Sequence, residues 1–354
     1  MKFATSILAI VLLALAFSCT DKKSETKQTT EVNLSQQAKN LADKFIITDG
    51  HIDLPYHLKS MDFLDLKSTP DLVNGIEGNF DFSRAKEGGL DAPFMSIYIP
   101  AGLQVSGGSK ELADSLINMV ENICNTFPEH FGLASSPNDV IKNFKQGEIS
   151  LPMGMENGSP IENNLENVKY FFDRGIRYIT LTHSKVNLIY DSSYDKEQKW
   201  NGLSPFGREV VLEMNKQGIM VDVAHISDST FYDIMELTDV PCIASHSSVR
   251  KFTPGFERNM SDDMIELLAK KNGVIQINFG SSFLTYTYEE KLAERDSLKK
   301  VYMAENNLKA GDSLIRIFHV NWMKENDPYA DVNVVADHID HVVKIAGVNH
   351  VGLE

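Results

Sequence analysis

Cysteine is scarce in this chain: 354 residues contain three, at Cys19, Cys124 and Cys242. That scarcity excludes a disulfide framework, and Cys124 and Cys242 are expected to be buried free thiols. Basic charge is also short, with 34 Lys and Arg against 49 Asp and Glu and a formal net charge of -15. Phosphate backbones are held by basic faces, so nucleic acid is excluded as a partner. Long hydrophobic runs are missing too. The apolar stretch Phe3 to Phe17 falls short of the ~20 residues a membrane-spanning helix needs. Preceded by Lys2 and ending in small residues, it suits the apolar core of a secretory signal.

What is present begins with Ala16-Phe17-Ser18-Cys19, which resembles the lipobox of bacterial lipoproteins, although Leu is more usual three residues before the Cys. Residues 1–19 are therefore expected to be a lipoprotein signal peptide with Cys19 lipidated. The mature chain would be exported and membrane-anchored on the periplasmic or cell-surface side; an ordinary signal peptide cleaved nearby is the alternative. Residues 20–37 are polar and aperiodic and read as a flexible tether. The rest, 38–354, has the length of one barrel with insertions, and the whole chain, 42% hydrophobic and 23% charged, has a globular composition.

From about residue 38, short β-branched runs alternate with helical patterns, which predicts a parallel sheet with crossover helices. The predicted strands are 45–54, 93–100, 149–156, 176–183, 219–226, 240–247, 273–280 and 350–354. Eight of them predict a (β/α)8 TIM barrel, its last strand cut short. Ser204 and Ser261 read as helix N-caps, Pro205 as a first helical residue, and Gly218 and Gly273 as stops. The charged segment about 283–330 reads as a helical insertion, either a lid or a subunit contact in a homodimer.

Five metal-type side chains fall at predicted strand ends: His51 and Asp53 in DGHIDLP, Glu156 in MGMENG, His225 in VDVAHIS and His246 in ASHSS. A barrel gathers those ends around one mouth. Singly, each has a bland reading: a hydrogen-bonded pair for His51 and Asp53, a loop carboxylate for Glu156, satisfied core histidines for the other two. Together, three imidazoles and two carboxylates are enough to hold two divalent ions. His338 and His341, i and i+3 on the last helix, look superficially like a further pair; an interfacial or capping role suits them better. His57, His130, His319 and His350 have no companions. Asp222 is read as orienting His225 from behind.

These pieces, with ITLTHS, GLSPFGREVVLEMNKQGIMVDVAHIS, SHSSVRKF, ERNMSDD and DHIDHVVKIAGVNHVGL, resemble the membrane dipeptidase (renal dipeptidase) family of binuclear zinc peptidases over residues 40 to 354. The resemblance implies a metal-dependent hydrolase barrel with two Zn2+: His51 and Asp53 on one, Glu156 bridging, His225 and His246 on the other. It implies that a metal-bridging hydroxide attacks a dipeptide, that His183 contacts the substrate carbonyl and that Arg258 holds the free carboxylate. It also implies an acid/base Asp past the VGL stretch, beyond residue 354. The chain is therefore expected to be incomplete, and weak or inactive if it truly ended there. Two other functions fit the same residues: a related metal amidohydrolase acting on a β-lactam or another amide or lactone, and an inactive surface lipoprotein that binds peptide or a partner.

Overall fold

Alternation of short apolar strands with capped amphipathic helices closes into a parallel barrel. The computed structural model describes residues 33–63 and 70–354; the expected signal peptide, Cys19 and residues 20–32 of the expected tether lie outside the described residues. The remainder of the tether expected to be flexible, 33–37, instead opens a helix. Leu34–Ala42 is a helix, because the Asn33 side chain caps it by accepting from the Gln36 N–H at 3.1 Å.

The strands are β1 Ile47–Ile52, β2 Leu90–Tyr98, β3 Phe131–Leu133, β4 Ile149–Leu151, β5 Met153–Glu156, β6 Ile176–Thr180, β7 Met220–Asp222, β8 Ile243–Ser247, β9 Val274–Ile277 and β10 Val351–Leu353. Eight of them close in the order β1-β10-β9-β8-β7-β6-β5-β2, while β3 and β4 form a separate two-stranded sheet. β10 closes the ring by pairing with β9 at Val351, Gly352 and Leu353 and with β1 at Asp49.

The predicted strand 149–156 is two strands. Pro152 has no N–H for a ladder, and the chain changes sheets there: β4 pairs with β3 outside the barrel and β5 enters it beside β2. β3 itself was not predicted. Ser204 caps Pro205–Gln217 by accepting from Gly207 N at 2.8 Å, and Gly218 ends that helix at φ 87°. Ser261 caps Asp262–Lys270, but that helix closes at Lys271, with Asn272 left-handed at φ 61°. Gly273 is thus not its stop. Over the expected insertion run Tyr286–Glu305 and Ser313–Asn326, joined by stacking of Tyr302 on Phe318. Cys124 and Cys242 are buried free thiols.

Core packing prepares the site. The Tyr178 side chain fills the barrel interior and is fully buried. It fits only because residue 154 is glycine: a Cβ there would lie 2.0 Å from the Tyr178 ring.

Candidate metal centre

β1 ends by delivering His51 inward, and Asp53 follows as the N-cap of the helix Leu54–Ser60. Asp53 makes no capping hydrogen bond, so its carboxylate is free to face the mouth, where His51 Nε2 lies 3.4 Å from it. Glu156 is the last residue of β5 and is buried. His246 sits inside β8. His225 follows β7 in a left-handed conformation, φ 66°. A non-glycine residue adopts that conformation at an energetic cost, and such strain gathers at functional sites.

The two oxygens of Glu156 face different partners. Oε2 lies 3.4 Å from His51 Nε2. Oε1 lies 3.1 Å from His225 Nε2 and 3.3 Å from His246 Nε2. Two donor triads, His51–Glu156–His246 and Glu156–His183–His225, each fit within 4.8 Å, and Glu156 belongs to both. His183, expected only to touch substrate, therefore also lies near ligating range, 3.7 Å from Glu156 Oε1. Asp53 stands at the rim with 62% of its side chain exposed.

The rings are oriented from behind. Tyr178 Oη donates to the Gly50 carbonyl at 3.0 Å, so the same oxygen accepts from His51 Nδ1 at 3.0 Å. That turns His51 Nε2 toward the mouth, as the atom that would meet a cation. Ser245 Oγ donates to Asp222 at 2.6 Å and accepts from His246 Nδ1 at 2.7 Å, with the same outcome for His246. Asp222 also accepts from Thr180 and from the N–H groups of Ala224 and Ser245. Asp222 thus positions His246 through Ser245, rather than His225 as expected from the sequence. The intermediary hydroxyl is what the one-dimensional reading lacked.

The electrostatics suit a cation. Burial works against charge on His51, but Tyr178, Glu156 and Asp53 more than reverse it and raise its pKa well above 6.5. Burial would raise the Glu156 carboxyl, yet the His51 charge and three imidazole contacts hold it well below the usual range. Burial, then the Arg258 charge, depresses His225 to about 3. Burial, His51 and Arg258 hold His246 well below its ordinary value. Two neutral imidazoles remain, with Nε2 atoms 2.8 Å apart. At that distance a proton or a cation lies between them, and the donor set of imidazoles and carboxylates fits divalent metal.

The mouth holds about 710 Å³ and is also lined by Tyr98, Lys185, Tyr194, Phe283 and Glu354. Burial pushes the Glu354 carboxyl up to about 8. Arg258 is 3% exposed. It donates from Nη1 to Ser247 Oγ at 2.8 Å and from Nη2 to the His246 carbonyl at 2.6 Å, while Nε has no acceptor among the described residues. No carboxylate is among those partners. His338 and His341 lie elsewhere: His338 joins Val249 N–H to the Leu284 carbonyl, and His341 meets Asp262 at 2.9 Å. Tyr178, Ser245 and the mouth tyrosines were missed in the sequence, since an apolar-looking strand tyrosine and a strand serine carry no local signal.

Residues 35–354 match the family model described as membrane dipeptidase (peptidase family M19). Dipeptidase tcpJ of Claviceps purpurea is 26% identical over 317 residues, 86% of this chain and 64% of that protein; the chain thus spans a little under two thirds of that relative. The probable dipeptidase PvdM of Pseudomonas aeruginosa superposes with a TM-score of 0.72 at 24% identity, covering 90% of this chain and 85% of the other. A metallo peptidase of Rhodobacter sphaeroides, solved with a phosphinate mimic of the dipeptide L-Ala-D-Ala, superposes at 0.67 and 20% identity over 87% and 85%. These two structures share the barrel architecture. With the family model spanning nearly the whole described chain, the protein belongs to the membrane dipeptidase family, peptidase family M19.

Proposed function

We propose that the protein is a metal-dependent dipeptidase. The observation that carries this reading is the Glu156 carboxylate, with one oxygen toward His51 and the other toward His225 and His246. His51, Asp53 and Glu156 would hold one Zn2+, and Glu156, His225 and His246 the second. When bound, such ions lower the pKa of water and polarise a carbonyl oxygen. The chain's own residues do the rest. Arg258, buried and without a carboxylate partner, presents a guanidinium to the substrate's free carboxylate. His183, kept neutral mainly by burial, stands at the mouth as a donor to the carbonyl oxygen. Tyr178 and Ser245 hold two ligand rings in the tautomer that leaves Nε2 free. The Rhodobacter sphaeroides structure with a dipeptide mimic supports the substrate class.

The test is hydrolysis of unblocked dipeptides by the zinc-supplemented protein against the same dipeptides amidated at the C-terminus. Amidation removes the charge that Arg258 reads and is expected to lower kcat/KM by about 100-fold. Arg258→Met should lower cleavage of the free dipeptide and leave the amide nearly unchanged. Equal cleavage of both substrates would favour a broader amidohydrolase. Zinc binding without turnover would favour a binding protein.

A further inference from the structure

A second cavity of about 390 Å³ lies beside the mouth, at the start of the helix Ser109–Thr126. One loop separates the two. His183, Ser184 and Lys185 line the mouth, and Val186 to Ile189 line the second cavity.

The helix is entered through Gly107 and Gly108, at φ 80° and 91°. Glycine takes those angles freely, and as N-cap Gly108 supplies no side chain to the first turn. The N–H groups of Ser109, Lys110 and Glu111 therefore face outward without an acceptor among the described residues. An independent observation points to a ligand. Ser109 is only 5% exposed, and its hydroxyl has no partner. Gln104 Oε1 and Ser159 Oγ are buried and unpartnered as well, and all three residues line this cavity. Each such orphan costs on the order of 1–3 kcal/mol, and three of them belong to residues lining this one cavity.

The charge pattern selects the ligand. Helix N–H groups and two serine hydroxyls suit an anionic group. Gln104 Oε1 can only accept, because its Nε2 already donates to the Val186 carbonyl at 3.2 Å, and Glu162 and Glu197 line the rim together with Lys199; the acceptor and the carboxylates suit a cationic group, and Lys199 adds to the anionic side. A simple anion would face the glutamates, and a simple cation would face Lys199 and the helix dipole. A zwitterion satisfies both, and Leu103, Leu188 and Ile189 offer it an apolar wall. We propose that this cavity binds a free α-amino acid with an aliphatic side chain, its carboxylate on the helix start and its ammonium toward Gln104 and the rim glutamates. The ligand belongs to the class that dipeptide hydrolysis releases. A role as product sensor therefore rests on the function proposed above, whereas the binding itself does not. Gln104 supplies the connection, with one end on the ligand and the other on the loop that carries His183.

Calorimetric titration of the full chain with L-leucine tests this without any turnover. Saturable binding of one leucine per chain is expected to persist in Arg258→Leu, which blanks the mouth, and to weaken about tenfold or more in Ser109→Ala. Unchanged thermal unfolding of Ser109→Ala checks that it folds. In the unaltered protein, leucine should also perturb the fluorescence of Trp200, whose indole donates to the Asn187 carbonyl in the cavity wall at 2.9 Å; Trp200→Phe should remove that signal. Neither 4-methylpentanoate nor isopentylamine, each keeping one charge, should bind. The proposal is overturned if leucine binding is lost in Arg258→Leu and kept in Ser109→Ala, if 4-methylpentanoate binds equally well, or if millimolar leucine gives no saturable heat. An inactive protein that binds leucine in this way would count against the dipeptidase reading alone.

Discussion

At the scale of single residues, the centre depends on groups that never touch the mouth. Tyr178 fixes His51 because its one hydroxyl proton is committed to Gly50, and Ser245 fixes His246 because its proton is committed to Asp222. Tyr178→Phe removes the acceptor for His51 Nδ1–H and frees the ring to turn. The expected outcome is a 10–100-fold loss of zinc affinity, measured by chelator competition, with a folded far-ultraviolet spectrum retained. Unchanged affinity would mean that the hydroxyl does not set the tautomer. Little of this was legible beforehand. The donors His51, Glu156, His225 and His246 stood out because polar side chains at the ends of apolar strands are conspicuous. The residues behind them looked like ordinary core and strand positions, and Asp222 was assigned to the wrong histidine because the Ser245 link exists only in three dimensions.

At the scale of elements, the strands and helix starts could be read because their causes are local. Short β-branched apolar runs, serine N-caps and Pro205 act within a few residues. The failures had longer-range causes. Pro152 splits one apolar run between two sheets, and nothing in the run says which half enters the barrel. The stop expected at Gly273 falls instead at Lys271 and Asn272, since asparagine also accepts the left-handed turn. β5 and β6 meet closely at Gly154, where a Cβ would overlap the Tyr178 ring. Gly154→Ala is accordingly expected to destabilise the fold by about 1–3 kcal/mol and to weaken zinc binding by displacing Tyr178. Urea melts and chelator competition would report the two effects together, and stability loss without loss of zinc affinity would separate Tyr178 from the centre.

At the scale of the whole molecule, the buried ionisable groups set how stability depends on pH. Burial and the Arg258 charge depress His225 from 6.5 to about 3 in the folded chain, and His246 is also depressed. Between those limits the unfolded chain binds more protons, so stability rises with pH and is lost as pH falls from 6.5. Each imidazole contributes up to about 1.4 kcal/mol per pH unit in that window. Asp49, raised to about 6 by burial, and Glu354, raised to about 8, oppose them: their folded forms hold the proton longer, which favours folding toward acid. These two carboxyls offset the two imidazoles over much of that window, so the histidine contribution shows in a variant rather than in the net profile. Chelator-treated His225→Gln should therefore lose less melting temperature between pH 6.5 and 4.5 than the chelator-treated unaltered protein, measured by calorimetry, and parallel profiles would contradict the neutral-imidazole account. The central claim is that donors from β1, β5, β8 and the turn after β7 meet around two cations shared by Glu156. Anomalous diffraction at the zinc edge from crystals of the zinc-loaded protein tests it most directly. Two peaks per chain, one on each side of the Glu156 carboxylate, are predicted; a single peak, or zinc bound away from Glu156, would contradict it.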